Sequence, residues 1–247
     1  MSMRVAALGD IHGNVAALEA ALKEIEKARP DHIVITGDLV MNGPRPSEVI
    51  ERVRILEASG ALIVQGNTDI AVADFDFSAA FPWLDEVPDA YRAVAEWTHE
   101  RLSDEDLAWL RRLPAERRVH APEMLVLVCH GSPGSQTDGL PADLDPSVLI
   151  QRITRTDARA IVCGHTHLAD VRDFGRRLVV NPGSCGYAFD GDAGAAWALL
   201  TVDGDVVEAE LRRTAYDPIA AADEVSARGL PGDVYRAATI RTGRLVR

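Results

Sequence analysis

The sequence predicts an α/β domain built around a largely parallel sheet. Two observations carry this. Short β-type runs alternate with helix-periodic stretches over the first quarter of the chain, and each run stops at a glycine-containing turn that bears a polar residue. Strand–helix–strand alternation of this kind is the pattern of parallel pairing, in which helices cover the sheet faces.

The elements follow in order. Residues 4–8 form the first apolar run. Val15, Leu18, Leu22 and Ile25 then recur at helical spacing, and the helix is expected to end near Arg29-Pro30. Residues 32–36 form a second run, broken by Gly37-Asp38. Ser47 is placed as the N-cap of a helix with Val49, Ile50, Val53 and Leu56 on one face, stopped by Gly60. Residues 61–64 form a third strand, ending at Gln65-Gly66-Asn67. The character changes over residues 71–118. That stretch reads as a helical insertion in a single domain spanning 1–247, placed as a cap over the active face. Ser103, followed by Asp104, Glu105 and Asp106, is a strong helix start within it. Strands resume at 125–128 and 160–163, with a helix between them at 146–154. Further strands are read at 178–180, 195–202 and 206–213, the last two joined at Asp203-Gly204. A helix after Asp217-Pro218 and a less regular end complete the chain.

Composition limits the functional classes. The 247 residues carry 26 Lys+Arg against 38 Asp+Glu, a formal charge of −12. Such a chain is poorly suited to non-specific phosphate contacts, so extended nucleic-acid binding is not expected. A bound metal would still provide a local positive site. Cys129, Cys163 and Cys185 are odd in number and widely spaced, which fits reduced thiols in a cytoplasmic protein; Cys129 and Cys163 are read as buried strand residues. No signal peptide and no membrane span are read: Asp10 and His12 interrupt the first apolar run, and no stretch reaches the roughly 18 residues a span needs. The sequence sets no oligomeric state.

Chemistry gathers at the strand ends. Asp10 and His12 follow the first strand, Asp38 the second and Asn67 the third; His130, then His165 and His167, follow later strands. In a parallel sheet these ends share one edge, where ligands bind. Taken singly, an Asp there can be a helix cap, an Asn a turn former and a His a core residue. Taken together, two carboxylates, one amide and four imidazoles form a metal-ligand set. If one aspartate bridges, seven side chains give eight bonds, four to each of two ions. Two such ions form the device for in-line phosphoryl transfer, one orienting a hydroxide and both offsetting charge on the phosphorus oxygens. Imidazole-rich ligation favours Mn, Fe, Co, Ni or Zn over Mg or Ca.

The ordered motifs Asp10-x-His12-Gly13-Asn14, Gly37-Asp38, Gly66-Asn67, His130-Gly131 and Gly164-His165-Thr166-His167 resemble the calcineurin-like metallophosphoesterase superfamily. The stretches 37–46 and 97–102, together with His130-Gly131-Ser132-Pro133 and Asn181-Pro182-Gly183-Ser184-Cys185-Gly186, resemble its bacterial and archaeal branch of predicted phosphodiesterases. The resemblance implies a four-layer α/β/β/α sandwich with a dinuclear centre at one edge. It assigns Asp10, His12, Asp38 and His167 to one ion, and Asp38, Asn67, His130 and His165 to the other, with Asp38 bridging and Mn as the expected activating ion. Asn67 and His130 are the candidate catalytic residues. Asn67, Thr68 and Arg45 are the candidate substrate contacts.

One position departs from the family pattern. Many relatives carry His after the Gly-Asn pair, where this chain has Thr68. A threonine hydroxyl donates a hydrogen bond but supplies no proton near pH 7. The expected activity is therefore a phosphodiesterase acting on a small-molecule phosphate ester or nucleotide with a good leaving group. A dinucleoside polyphosphate hydrolase, a protein phosphatase, and a binding scaffold of the same fold without catalysis are the alternatives. Trp83, Trp97 and Trp109 are read as packing for the insertion, with base stacking as the other option.

Overall fold

The computed structural model describes residues 2–121 and 123–247. Strand β1 (Met3–Leu8) leads through helix α1 (Val15–Ala28) to β2 (His32–Ile35), and then through α2 (Pro46–Ala58) to the short β3 (Leu62–Ile63). The three strands are parallel, with Val5 opposite His32 and Val34 opposite Leu62. Asn14 caps α1 by accepting from the Ala17 amide, and the helix buries Leu18, Leu22 and Ile25 as their spacing requires. The α2 start corrects the sequence reading. Its N-cap is Arg45 with Pro46 at N1, not Ser47, because the fixed φ of proline is already helical.

Helices α3 (Asn67–Asp74), α4 (Phe77–Ala80), α5 (Asp89–His99) and α6 (Asp104–Arg112) follow. Ser103 and Asp106 form a capping box at α6. The helical stretch thus begins at Asn67 and ends at Arg112, and residues 116–118, expected within the insertion, already belong to a strand. That strand, β4 (Glu116–Ala121), pairs antiparallel with β5 (Met124–Cys129). After α7 (Pro146–Ile153) come β6 (Ala160–Val162), β7 (Asp170–Asp173) and β8 (Leu178–Asn181). The long hairpin β9 (Ala195–Asp203) and β10 (Val206–Thr214) precedes α8 (Pro218–Ala227) and α9 (Asp233–Thr242). The end of the chain is therefore more regular than its sequence suggests.

Two mixed five-stranded sheets result, ordered β10-β9-β1-β2-β3 and β4-β5-β6-β8-β7. Alternation along the strands shows how they stack. Val5 and Ala7 of β1 join Val126, Val128, Val162 and Val180 in a core between the sheets. Ala6 and Leu8, on the opposite face of β1, join Leu18, Ile25 and Ile50 of the covering helices. On the outside of the second sheet, Ile161 and Val179 meet Leu149 and Ile153 of α7. Helix, sheet, sheet and helix therefore make four layers, with period-two strands buried on both faces. The carboxyl ends of β1, β2 and β3 and those of β5, β6 and β8 open on one edge.

Candidate metal centre

Each ligand candidate sits within five residues beyond the end of a strand, from His130 directly after β5 to His167 in the loop after β6. Backbone conformation there is unusual. Asp10, His12, Asp38, His165 and His167 all have positive φ, between 49° and 69°. Non-glycine residues seldom adopt this left-handed conformation, and it persists only where the surroundings enforce it. The enforcing contacts are visible. The Asp10 amide donates to the Gly37 carbonyl at 3.0 Å and the His12 amide to the Asp38 carbonyl at 3.0 Å, so the loops after β1 and β2 hold each other. Close approach also demands glycine at 66, where a Cβ would lie 2.1 Å from Asp38 Oδ1.

The side chains converge. Ligand atoms of Asp10, His12, Asp38 and His167 all lie within 4.8 Å of one another, and all four residues are buried. His12 Nε2 is 3.2 Å from His167 Nε2 and 3.5 Å from Asp38 Oδ2. On the other side, His130 Nε2 is 3.4 Å from Asp38 Oδ1, 2.9 Å from Asn67 Oδ1 and 3.2 Å from His165 Nδ1. His165 Nδ1 is 3.0 Å from Asn67 Oδ1. Donors bound to one ion at about 2.1 Å stand about 3.0–3.4 Å apart when adjacent, so these spacings suit shared cations.

Tautomers sharpen the point. His12 Nδ1 donates to the Met41 carbonyl, His130 Nδ1 to the Thr36 carbonyl and His167 Nδ1 to the Tyr187 carbonyl. Their Nε2 atoms then present lone pairs. Asn67 spends its amide N–H on the Ala80 carbonyl, which turns its oxygen inward. Lone pair faces lone pair at 3.2 Å between His12 and His167, and at 2.9 Å between His130 and Asn67. Such pairs repel unless a cation lies among them, and backbone partners on the far ring nitrogen are the usual support of ligating imidazoles.

Electrostatics agree. Burial pushes His12 and His167 below the ordinary imidazole range, and His165 falls to about 4 through burial and then His130. Neutral imidazoles are the ligating form. Burial and then the Asp38 charge push Asp10 well above the carboxylate range. Burial would also raise Asp38, but His130, His12 and His165 outweigh it and bring it to about 2. The donor set fits divalent transition metals.

The remaining expected contacts divide. Thr68 lines the cavity over the ligand cluster, its amide donating to Asp38 Oδ1 at 2.9 Å and its hydroxyl to the Val40 carbonyl at 3.3 Å. Arg45 does not join it. Its Nε donates to both oxygens of Glu224 at 2.7 and 2.9 Å, and it is absent from the cavity wall. The reason is local: as N-cap of α2 it points toward α8, where a carboxylate meets it. Several supporting residues were not read from sequence. Asp69 accepts from the amides of Gly66 and Leu39, each at 2.9 Å, and of Val40 at 3.3 Å. Asn181 donates to the Gly164 carbonyl and to Thr166, holding the histidine loop, and Ser184 donates to the Asp10 carbonyl. The Asn-Pro-Gly-Ser-Cys-Gly motif signalled these two without giving their task. Cys129, Cys163 and Cys185 are buried free thiols.

Comparison with known proteins decides the family. The profile of the calcineurin-like phosphoesterase superfamily domain matches residues 3–205. The chain belongs to this superfamily. It is similar to a metallophosphoesterase from Sphaerobacter thermophilus of known structure, at 28% identity and a TM-score of 0.73, covering 97% of this chain and 99% of the other. It is 27% identical to an uncharacterized protein of Methanocaldococcus jannaschii over 92% of this chain and 93% of that one. A shorter likeness, 34% identity over 110 residues, relates 43% of this chain to 36% of the symmetrical bis(5'-nucleosyl)-tetraphosphatase of Klebsiella pneumoniae. Membership of this superfamily suggests hydrolase activity on phosphate esters. Among the described residues no helix is long and apolar enough to cross a membrane.

Proposed function

We propose that this member of the superfamily is a phosphodiesterase that holds two divalent transition-metal ions, with Mn²⁺ the activating one. Asp10, His12, Asp38 and His167 would hold one ion, and Asp38, Asn67, His130 and His165 the other. The observation that carries the reading is the convergence of seven side chains from five strand ends, with lone pairs facing each other between His12 and His167 and between His130 and Asn67. When bound, such ions supply Lewis acidity toward a phosphoryl oxygen and a water nucleophile at neutral pH.

The chain's own residues do the rest. Backbone carbonyls of Met41, Thr36 and Tyr187 fix three imidazoles in the ligating tautomer. Asn67 presents its oxygen because its N–H is spent on Ala80. Thr68 stands where relatives place an imidazole acid, and its hydroxyl, which donates to the Val40 carbonyl, supplies no proton near pH 7. A departing oxygen must then leave largely unprotonated, which favours diesters and anhydrides with acidic leaving groups over alkyl monoesters. The likeness to a dinucleoside tetraphosphatase gives the anhydride branch of this reading its support.

The test uses purified full-length protein loaded with Mn²⁺ and bis(p-nitrophenyl) phosphate, with and without chelator. Chelator-sensitive turnover is expected, with glycerol phosphate cleaved far more slowly. Absence of turnover with Mn²⁺, Co²⁺, Ni²⁺ and Zn²⁺ would turn the reading toward a non-catalytic scaffold. Equal rates on glycerol phosphate would remove the argument from Thr68.

A further inference from the structure

Aromatic residues make up only 5% of this chain. Yet Phe81, Trp83, Tyr91, Tyr187, Phe189 and Tyr235 all line one cavity of about 450 Å³, whose floor includes His12, Asp38, Asn67, His165 and His167. The volume lies within the range of small-ligand pockets. Some of this aromatic wall braces the floor. Phe189 stacks on His167 with ring centroids 4.1 Å apart.

Trp83 is different. It is 53% exposed, while Trp97, Trp109 and Trp197 are buried. It meets His165 at 5.7 Å and Phe81 at 5.8 Å with the ring planes steeply inclined, so neither ring stacks parallel on the indole. A half-exposed indole on the wall of the cavity that holds the ligand cluster offers a stacking surface. The sequence reading of Trp83 as packing accounts for its contact with Phe81 but not for its exposed half.

A second feature of the wall is a cation. Arg236 is 1% exposed. Its Nε donates to Asn42 Oδ1 at 3.0 Å, and its Nη1 to the Pro231 carbonyl at 2.6 Å and the Tyr235 hydroxyl at 2.5 Å. Its Nη2 reaches only the Ala90 carbonyl, at 3.4 Å. All these partners are neutral, and among the described residues Arg236 forms no ion pair. Burying a guanidinium without a counter-charge is costly. By contrast, Arg152, beside a neighbouring cavity on the other side of Trp83 and His165, is paired with Asp138 at 3.0 Å. Arg45 is paired with Glu224. Of these arginines only Arg236, on the cavity wall, has no acidic partner among the described residues. Asn42, which accepts from Arg236, lines the same cavity beside His12.

We propose that this cavity is a nucleotide subsite, in which the exposed face of Trp83 stacks the base and Arg236 receives a phosphate other than the one undergoing hydrolysis. The proposal rests on the hydrolase reading for where the reacting phosphate lies. The preferred substrate class is then a nucleoside ester or anhydride with more than one phosphate.

The test is calorimetric binding to Mn²⁺-loaded full-length protein, with inhibition of bis(p-nitrophenyl) phosphate hydrolysis in parallel. AMP against ribose 5-phosphate isolates the base, and ADP against AMP isolates the second phosphate. Each comparison is expected to gain about 10-fold in affinity, the scale of one base stack or one charge-assisted contact. Trp83→Ala should abolish the first gain and keep the second. Arg236→Met should abolish the second, and Arg236→Lys should restore part of it, which controls for a folding defect in the buried variant. Equal binding of AMP and ribose 5-phosphate, or a base preference untouched by Trp83→Ala, would overturn the stacking half. An ADP gain that survives in a folded Arg236→Met protein would overturn the other. Nucleotide binding without diester turnover would sink the hydrolase reading and leave the subsite standing.

Discussion

Asp38 uses its two oxygens on two different sides. Oδ2 faces His12 at 3.5 Å and Oδ1 faces His130 at 3.4 Å, so one carboxylate serves both halves of the cluster. Asp38→Asn should therefore strip metal from both halves together and lower turnover by at least about 10²-fold, since a ligand matters no less than the residues supporting it. Metal analysis checks this, and one ion retained at full occupancy would contradict a bridging role. Thr68→His adds an imidazole where only a hydroxyl stands, and it should raise the ratio of monoester to diester turnover by about 10-fold or more. An unchanged ratio would show that leaving-group protonation does not limit the reaction. Arg45→Met is the contrasting case. Its guanidinium is engaged by Glu224 and Glu48 on a half-exposed surface, so KM for a phosphodiester should stay within about two-fold of wild type. The difference between Arg45 and Arg236 shows what the sequence withholds. Arg45 follows a glycine-proline turn close to the motifs, while Arg236 lies near the far end of the chain on α9, and only the packing of α9 against the site brings it in. Asp69 was equally hidden, since an aspartate early in a helix reads as a generic first-turn acid.

At the scale of elements, the ligands were legible because each strand ends in a glycine turn, and a parallel sheet gathers such turns at one edge. Strands β4 and β7 were not legible. Each lies at an edge of the second sheet, and their sequences, with Arg117 and Arg118 in one and Asp170, Arg172 and Asp173 in the other, carry the charges that edge strands use against aggregation. Charge erases the alternation on which a strand is recognised. The start of α3 shows how an element secures the site. Asp69 collects the amides of Gly66, Leu39 and Val40, tying the helix to the loop that carries Asp38. Burial and then Asp38 push its pKa up to about 8, and the three amides work against that rise. Asp69→Ala leaves three buried donors without an acceptor. At about 1–3 kcal/mol each, a loss of at least about 3 kcal/mol is expected. Thermal unfolding should show it, with metal affinity falling about 10- to 100-fold as the Asp38 loop loosens. A variant with wild-type melting and metal binding would mean that water replaces the carboxylate fully.

The whole molecule is two halves meeting at one edge. Asp10, His12, Asp38 and Asn67 come from the sheet of β1, β2 and β3, and His130, His165 and His167 from the sheet of β5 and β6. A cation held between them would therefore cross-link the two sheets. The same reasoning explains how much the sequence could tell. Local alternation announced the first sheet, but nothing local announced that a second sheet would stack on it through Val5, Ala7, Val126 and Val162; the family resemblance supplied that step. The cross-link has a measurable consequence. Without metal, buried carboxylates and facing lone pairs oppose closure of the two sheets, and an ion that binds only the folded chain stabilises it by mass action. At a metal concentration of about 100 times Kd the gain is about 2.7 kcal/mol. For a chain of this size that corresponds to a rise in Tm of roughly 5–10 °C. Mn²⁺ should produce this rise in the wild type and chelator should reverse it. Asp38→Asn should cancel it, because the one carboxylate reaching both sides is gone. His130→Ala should cancel only part, because the cluster of Asp10, His12, Asp38 and His167 survives it. If His130→Ala removed the whole rise, a single ion centred on the second cluster would replace the pair proposed here.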